Sequence, residues 1–373
     1  MTSKILLFNR AMMVFLSLMI LITGGARGQD TDEEKESKGS LSLSGYVDTY
    51  YSYNFNDPSN SDNFGTTGVG RIFDGYHNQV ALGLAQFVTS YSTDRTEIVA
   101  DIVFGPNAEL ANFGNVGTAF SIKQAYVSTT LVDGLTLTMG QYGTHIGYEL
   151  VDAPSNMHYS LSNLFGNGPF YHTGAKLDYA ISDQFGLMVG VVNGWDAIQD
   201  NNTSKSVAAQ FSLAPVEGLD AYINWLGGNE AANNPITGDK ADAYKHMFDL
   251  TASYAVADNF NIGINAAMGF DRAGTVNNDW MGAALYLTFS ASDRVDLGVR
   301  GEYFDDSNDI QYLGAAYQGI TLTASITALD GAVIVKPEFR FDNADEDIYY
   351  KGLNTLSQSQ STLGLAIIGT FGN

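Results

Sequence analysis

The chain of 373 residues contains no cysteine and only seven prolines. Without thiols there is no disulfide framework, no thiolate chemistry and no lipid-attached cysteine at a processed N-terminus. Lysine and arginine are scarce, 18 against 41 Asp and Glu, which gives a formal net charge of −23. Nucleic acid is therefore not an expected partner, because holding phosphates requires clustered cations. Beyond Gly28 no apolar run approaches the about 20 residues that a helical membrane span needs, although 45% of the chain is hydrophobic and 12% aromatic. The apolar residues are distributed by alternation instead.

What is present is a repeated unit. Between Val132 and Gly331, stretches of about ten residues alternate apolar with polar or small side chains, each followed by a short polar turn. In the clearest copy Phe260, Ile262, Ile264, Ala266, Met268 and Phe270 share one parity, and Asn261, Gly263, Asn265, Ala267, Gly269 and Asp271 the other. Period two marks a strand whose faces meet different environments. Ten residue steps of about 3.3 Å, tilted by roughly 40°, rise about 25 Å, the height of the apolar band on an outer-membrane barrel. Forty glycines and a mean hydropathy of −0.05 suit an all-β transmembrane antiparallel barrel with a wet interior. A soluble sandwich is the competing reading.

Lys4 and Arg10 precede an apolar run from Ala11 to Ile22, and the small-residue site Ala26-Arg27-Gly28 follows it. This predicts a secretory signal peptide over residues 1–28, cleaved before Gln29. An N-terminal anchor is the alternative, for which the run is short. Cleavage removes Lys4, Arg10 and Arg27 and no acid, so the formal charge moves from −23 to −26. Residues 29–40 (QDTDEEKESKGS) are charged and lack apolar side chains, which reads as a flexible periplasmic lead-in. The barrel is expected over residues 41–373.

Short turns fall at 132–134, 182–184, 215–218, 257–259, 291–294 and 330–331, with a looser one at 92–95. They carry the Asp, Asn, Gly and Pro that tight turns demand. Longer connections lie at 57–75, 105–120, 141–170, 194–203, 228–243, 271–279, 305–319 and 343–360. Seven turns and eight loops predict sixteen strands, with both termini and the short turns on the periplasmic side. Asp309 to Gly319 is assigned to a loop and the start of strand fourteen, the alternative being an extra strand. Tyr179, Phe185, Tyr254, Phe260, Phe289 and Phe371 near the short turns, and Phe104, Trp225, Phe270, Tyr303 and Phe341 near the long loops, predict two outward aromatic girdles. The last strand, with Phe371 near its end, resembles the signal read by outer-membrane assembly machinery.

Barrels of 16 to 18 strands leave an aqueous channel. The inward parity nominates Asp48, Glu97, Asp101, Lys176, Asp178, Asp296, Arg300, Glu302, Lys336, Glu338, Arg340 and Asp342 as pore-lining. Strand fifteen carries the last four, and they cannot face lipid, where Lys or Arg at the midplane costs about 2–4 kcal/mol. Across the Thr321, Thr323, Ser325 and Thr327 face of strand fourteen, Arg300 and Glu302 can reach toward Glu338 and Arg340. The functional reading is a charged wall that orients solutes and sets ion preference; the alternative is a salt-bridged ladder that stiffens the barrel. The longest connection, Gln141 to Phe170, exceeds the about 12–15 residues of ordinary loops. It is expected to fold inward and narrow the pore through Tyr142, His145, Tyr148, Glu149, Tyr159, Phe165 and Phe170, rather than cap the rim.

Gly45-Tyr46-Val47-Asp48, Lys123-Gln124-Ala125-Tyr126, Gly140-Gln141 and Gly147-Tyr148-Glu149 recur in a known order with Pro169-Phe170-Tyr171-His172-Thr173-Gly174, Asn193-Gly194-Trp195-Asp196, Arg300-Gly301-Glu302-Tyr303 and Pro337-Glu338-Phe339-Arg340. In this order the chain resembles the β-barrel porin-2 (OmpL-like) family over nearly all of residues 41–373. The resemblance implies a pore in the outer membrane of a Gram-negative bacterium, in contact with lipid and passing small hydrophilic solutes or ions. A homotrimer follows only by fold analogy. A structural or adhesive barrel is the alternative, and a plugged transporter would need about 22 strands. His145 with Glu149 and either His158 or His172 offer candidate metal ligands, Asp342 with Asp345, Glu346 and Asp347 candidate calcium ligands, and Ser160 beside His158 a candidate nucleophile and base. Hydrated loop groups are the favoured account, so no metal, cofactor or catalytic residue is assigned.

Overall fold

A computed structural model describes residues 39–372, apart from 64, 66–70, 113–116, 233–242, 274–275, 310, 312–313 and 354. The expected signal segment and the lead-in up to residue 38 lie outside the described residues. Ser40 already opens the first strand.

The strands are β1 (Ser40–Asn54), β2 (Val80–Ser92), β3 (Thr96–Phe104), β4 (Ile122–Val132), β5 (Leu135–Gly143), β6 (Tyr171–Ser182), β7 (Phe185–Val192), β8 (Ser206–Leu213), β9 (Leu219–Asn229), β10 (Ala243–Ala257), β11 (Phe260–Ala273), β12 (Val276–Ser292), β13 (Val295–Asp305), β14 (Ala316–Ala328), β15 (Val333–Ala344), β16 (Tyr349–Lys351), β17 (Thr355–Ser357) and β18 (Ser359–Phe371). Each of β1 to β14 pairs antiparallel with the next, and β18 closes the ring between β15 and β1, making sixteen barrel strands. The closing register sets Gly45 opposite Phe371 and Asn54 opposite Thr362. Among the described residues no helix is long and apolar enough to cross a membrane; crossing falls to the strands.

Alternation explains why these segments pair this way. On β14 the outward Ile320 and Leu322 are exposed, while the inward Thr321 and Thr323 are buried. A slip of one residue would exchange the two faces, so the register is fixed by the apolar parity. The named aromatics stand outward at both rims, among them Phe104, Tyr179, Tyr254, Phe270, Phe289, Tyr303, Phe341 and Phe371, all exposed.

Four expectations need correction. The connection at 271–279 is not a loop, because β11 and β12 run on as one hairpin to Ala273 and Val276. The last long connection holds a small hairpin of its own, β16 with β17. Tyr142 belongs to the inward face of β5 rather than to the loop, which begins only after Gly143. The inward parity is also not uniformly polar or small: Met188, Val192, Leu226, Met247, Trp280, Tyr286 and Phe304 form one buried cluster inside the barrel. The described residues of Asp309 to Gly319 add no extra barrel strand, β14 starting at Ala316.

Candidate functional site

The interior is organised by the connection from residue 144 to 170, between β5 and β6. It leaves the barrel rim and crosses the lumen instead of capping it. Gly147 N donates to Asp249 Oδ1 on β10 at 3.0 Å. The Tyr148 ring stacks on Tyr286 of β12, centroids 4.4 Å apart. Further on, His158 Nδ1 meets Thr323 Oγ1 on β14 at 2.7 Å, and Tyr159 Oη donates to Asp48 Oδ2 on β1 at 2.5 Å. Glycines on the wall make these approaches possible. A Cβ at Gly83 would lie 2.8 Å from Tyr159 Oη, and one at Gly263 would lie 2.2 Å from Tyr148 Oη.

The charges nominated on β13 and β15 are the loop's seat. Glu338 accepts from Tyr159 N at 2.8 Å, Ser160 N at 3.1 Å and Thr323 Oγ1 at 2.8 Å. Because Thr323 spends its hydrogen on Glu338, His158 Nδ1 is the donor in its own contact. Glu302 accepts from Asn163 N at 2.6 Å and Asn163 Nδ2 at 3.1 Å. Arg300 donates to Glu149 Oε1 at 2.7 Å, Ser160 O at 2.6 Å and Thr321 Oγ1 at 3.1 Å. Arg340 donates to Leu161 O at 2.7 Å and Asp342 Oδ1 at 2.6 Å. Lys336 Nζ donates to Ala153 O at 2.8 Å and also to Asn156 O. Glu302 Oε1 sits between the two guanidinium groups, 3.3 Å from Arg300 Nε and 3.2 Å from Arg340 Nη2. The predicted reach across strand fourteen is thus made by Arg340 to Glu302.

Relative exposures of 0% for Arg300 and Lys336 and 1% for Arg340 show that these cations meet no bulk water. Taking such charges out of water costs several kcal/mol each, which only close partners and filled hydrogen-bond positions offset. Here the wall supplies Glu302 and Asp342, and the loop supplies Glu149 and the carbonyls of Ala153, Ser160 and Leu161. The arrangement is the ladder alternative extended by a third participant.

The connection after β1 folds inward as well. Arg71 pairs with Asp74, and its Nη1 donates to Thr362 Oγ1 at 2.9 Å and lies 3.5 Å from Asp342 Oδ2. Phe73, at a φ of 72°, joins Phe165 and Phe170 in an aromatic cluster with centroids 5.1 to 6.4 Å apart. Asp196, in the connection after β7, pins the end of the crossing loop by accepting from Phe170 N at 2.7 Å and Tyr171 N at 3.1 Å. Burial pushes its carboxyl up to about 7. Arg71, Asp74, Asp196 and Asp249 were not nominated from sequence. Only Asp249 had a readable signal, a lone acid mid-strand on the inward parity of β10.

The remaining nominated residues lie elsewhere in the interior. Asp101 accepts from Gln86 and pairs with Lys123 at 3.2 Å, and Lys123 also pairs with Asp152 of the loop at 2.6 Å. Lys176 pairs with Asp178 at 3.0 Å. Asp296 accepts from Ser290 Oγ at 2.6 Å, and Glu97 is half-buried on β3. His145 Nε2 donates to Trp225 O at 3.1 Å, and its ring is 5.2 Å from that of His172. Glu149 is turned toward Arg300 and His158 toward Thr323, so the histidines and Glu149 do not converge.

The loop seals the lumen against β13, β14, β15, β18 and β1, and leaves it open against the opposite wall. A cavity of about 550 Å³ lies between the loop and the β4 to β11 side. A second of about 400 Å³ continues toward the short turns, sharing Gln210, Asp220 and Tyr222 with the first. Two smaller ones, about 240 and 320 Å³, adjoin through His145 and through Tyr148 with Ser253. The open side is a row of adjoining cavities along one wall.

Comparison with known proteins decides the family. Residues 40–371 match the family described as "Putative beta-barrel porin-2, OmpL-like". The chain belongs to this family. No curated protein matches the sequence. The porin-2 barrel is similar in structure to OmpT of Vibrio cholerae, at 12% identity and a TM-score of 0.57, covering 92% of this chain and 99% of that one. It is similar to an anion-selective porin from Comamonas acidovorans, at 14% identity and a TM-score of 0.59, over 90% and 100% of the two chains. It is also similar to the outer-membrane channel DcaP of Acinetobacter baumannii, at 13% identity and a TM-score of 0.56, over 90% and 99%. At these identities the likeness is one of fold.

Proposed function

We propose that this porin-2 barrel is a passive channel for small hydrophilic solutes or ions across the outer membrane of a Gram-negative bacterium. The observation that carries this is the half-open lumen: the loop at 144–170 fills one side, and cavities with shared lining residues adjoin along β4 to β11. Sixteen strands set a ring wide enough for water, and the loop sets its narrowest section. The reading includes export behind a cleaved segment 1–28 and insertion by assembly machinery acting on β18, and it describes a channel without a catalytic step. A trimer fits it by fold analogy, one similar barrel, Vibrio cholerae OmpT, having been solved in a trimer form.

Planar-bilayer recording of the refolded mature protein tests the reading. Stepwise, ohmic conductance increments are expected. A folded barrel that conducts nothing would move the protein to the structural or adhesive class.

A further inference from the structure

We propose that the open half-lumen prefers small cations, and that Asp178 and Asp220 set this preference. The inference rests on the channel reading above and names its solute class. It follows from where the fixed charges end up. The cations nominated on β13 and β15, with Arg71, are shut in the sealed half, each at most 4% exposed and each held by carboxylates or carbonyls. A solute passing down the other wall does not meet them.

The cavity of about 400 Å³ near the short turns is lined by Asp178, Asp183 and Asp220, and by no Lys or Arg among the described residues. The cavity of about 550 Å³ is lined by Asp152, Asp220 and Asp249, by Glu149, whose charge is paired with Arg300, and by one lysine, Lys123. Lys123 is clasped between Asp101 and Asp152. Two further cations on the inward face of this side, Lys176 and Lys245, are paired with Asp178 and Asp271. Asp220 is exposed, belongs to both cavities and stands where they meet. Two residues along the same inward face, the exposed ring of Tyr222 offers a π surface to a passing cation. A cleft with one sign of charge between low-dielectric walls concentrates the opposite ion. The barrel itself does not dictate this sign, since a similar fold serves an anion-selective porin.

The test is the reversal potential of the refolded mature protein in planar bilayers under a KCl gradient. A potassium-to-chloride permeability ratio above about 3 is expected near 0.1 M salt, falling toward 1 at 1 M as the screening length shrinks from about 10 to 3 Å. The double variant Asp178→Asn, Asp220→Asn should lower the ratio at least about twofold, and Asp220→Lys should shift it further in the same direction. Both sites face water, so the variants should fold, which circular dichroism checks. Anion preference in the parent, or an unchanged ratio in both variants, overturns the proposal and leaves the channel standing. Absence of any conductance in the parent overturns the channel reading itself.

Discussion

At the scale of single residues the interior depends on buried carboxylates that accept backbone N–H groups. Glu338 is the clearest, taking Tyr159 N, Ser160 N and the Thr323 hydroxyl at 2.8 to 3.1 Å. Replacing it by alanine strands two amides and a hydroxyl away from water, at about 1–3 kcal/mol for each group left unmade. Glu338→Ala should therefore unseat the loop before it unfolds the barrel, because the strand ladder does not use this side chain. The expected outcome is a higher, noisier single-channel conductance with near-normal strand content by circular dichroism. Glu338→Gln retains one carbonyl oxygen and should fall between parent and alanine. If both variants conduct as the parent does, the loop is not held at this point.

At the scale of elements, the strands were legible in the sequence and the destinations of the loops were not. Parity reports which face of a strand meets lipid, and a misread register would place Lys336 or Arg340 in the membrane, so those segments had one solution. The hairpin from β11 to β12 was misread because Asp271, Arg272 and Asn277 look like loop residues; above the membrane a hairpin has no lipid to reward alternation. Loop landing sites were hidden for another reason. Glu338 binds the main chain of Tyr159 and Ser160, and Arg340 the carbonyl of Leu161, contacts that any residue type could make. The aromatic content of 141–170 announced that this loop packs, and the inward charges announced only that they avoid lipid; nothing in the string paired Glu149 with Arg300. The loop's role is checked by deletion. Removing residues 150–165 takes away the loop partners of Lys336, Arg340 and Glu338 and opens the sealed side, so conductance should rise about twofold, as expected from roughly doubling an aqueous cross-section. An unchanged value would refute the constriction.

At the scale of the whole molecule, two solvents act on one wall, and substitutions one residue apart in parity should report them separately. Ile264, outward and exposed on β11, faces the apolar band, while Ser253, its near neighbour across the β10 and β11 pair, lines the open cavities. Ile264→Arg places a guanidinium in hydrocarbon and should destabilise the barrel by about 2–4 kcal/mol if it lies near the midplane. Ser253→Arg puts the same group into water and should leave stability nearly unchanged while reducing cation preference, because it adds positive charge to the open half. Urea unfolding in lipid vesicles measures the first effect and the reversal potential the second. Equal losses of stability would mean that the two faces share a solvent, which an open lumen forbids. Loss at Ile264 alone, with the selectivity change at Ser253 alone, separates the barrel from a packed sandwich and assigns the water to the β4 to β11 side.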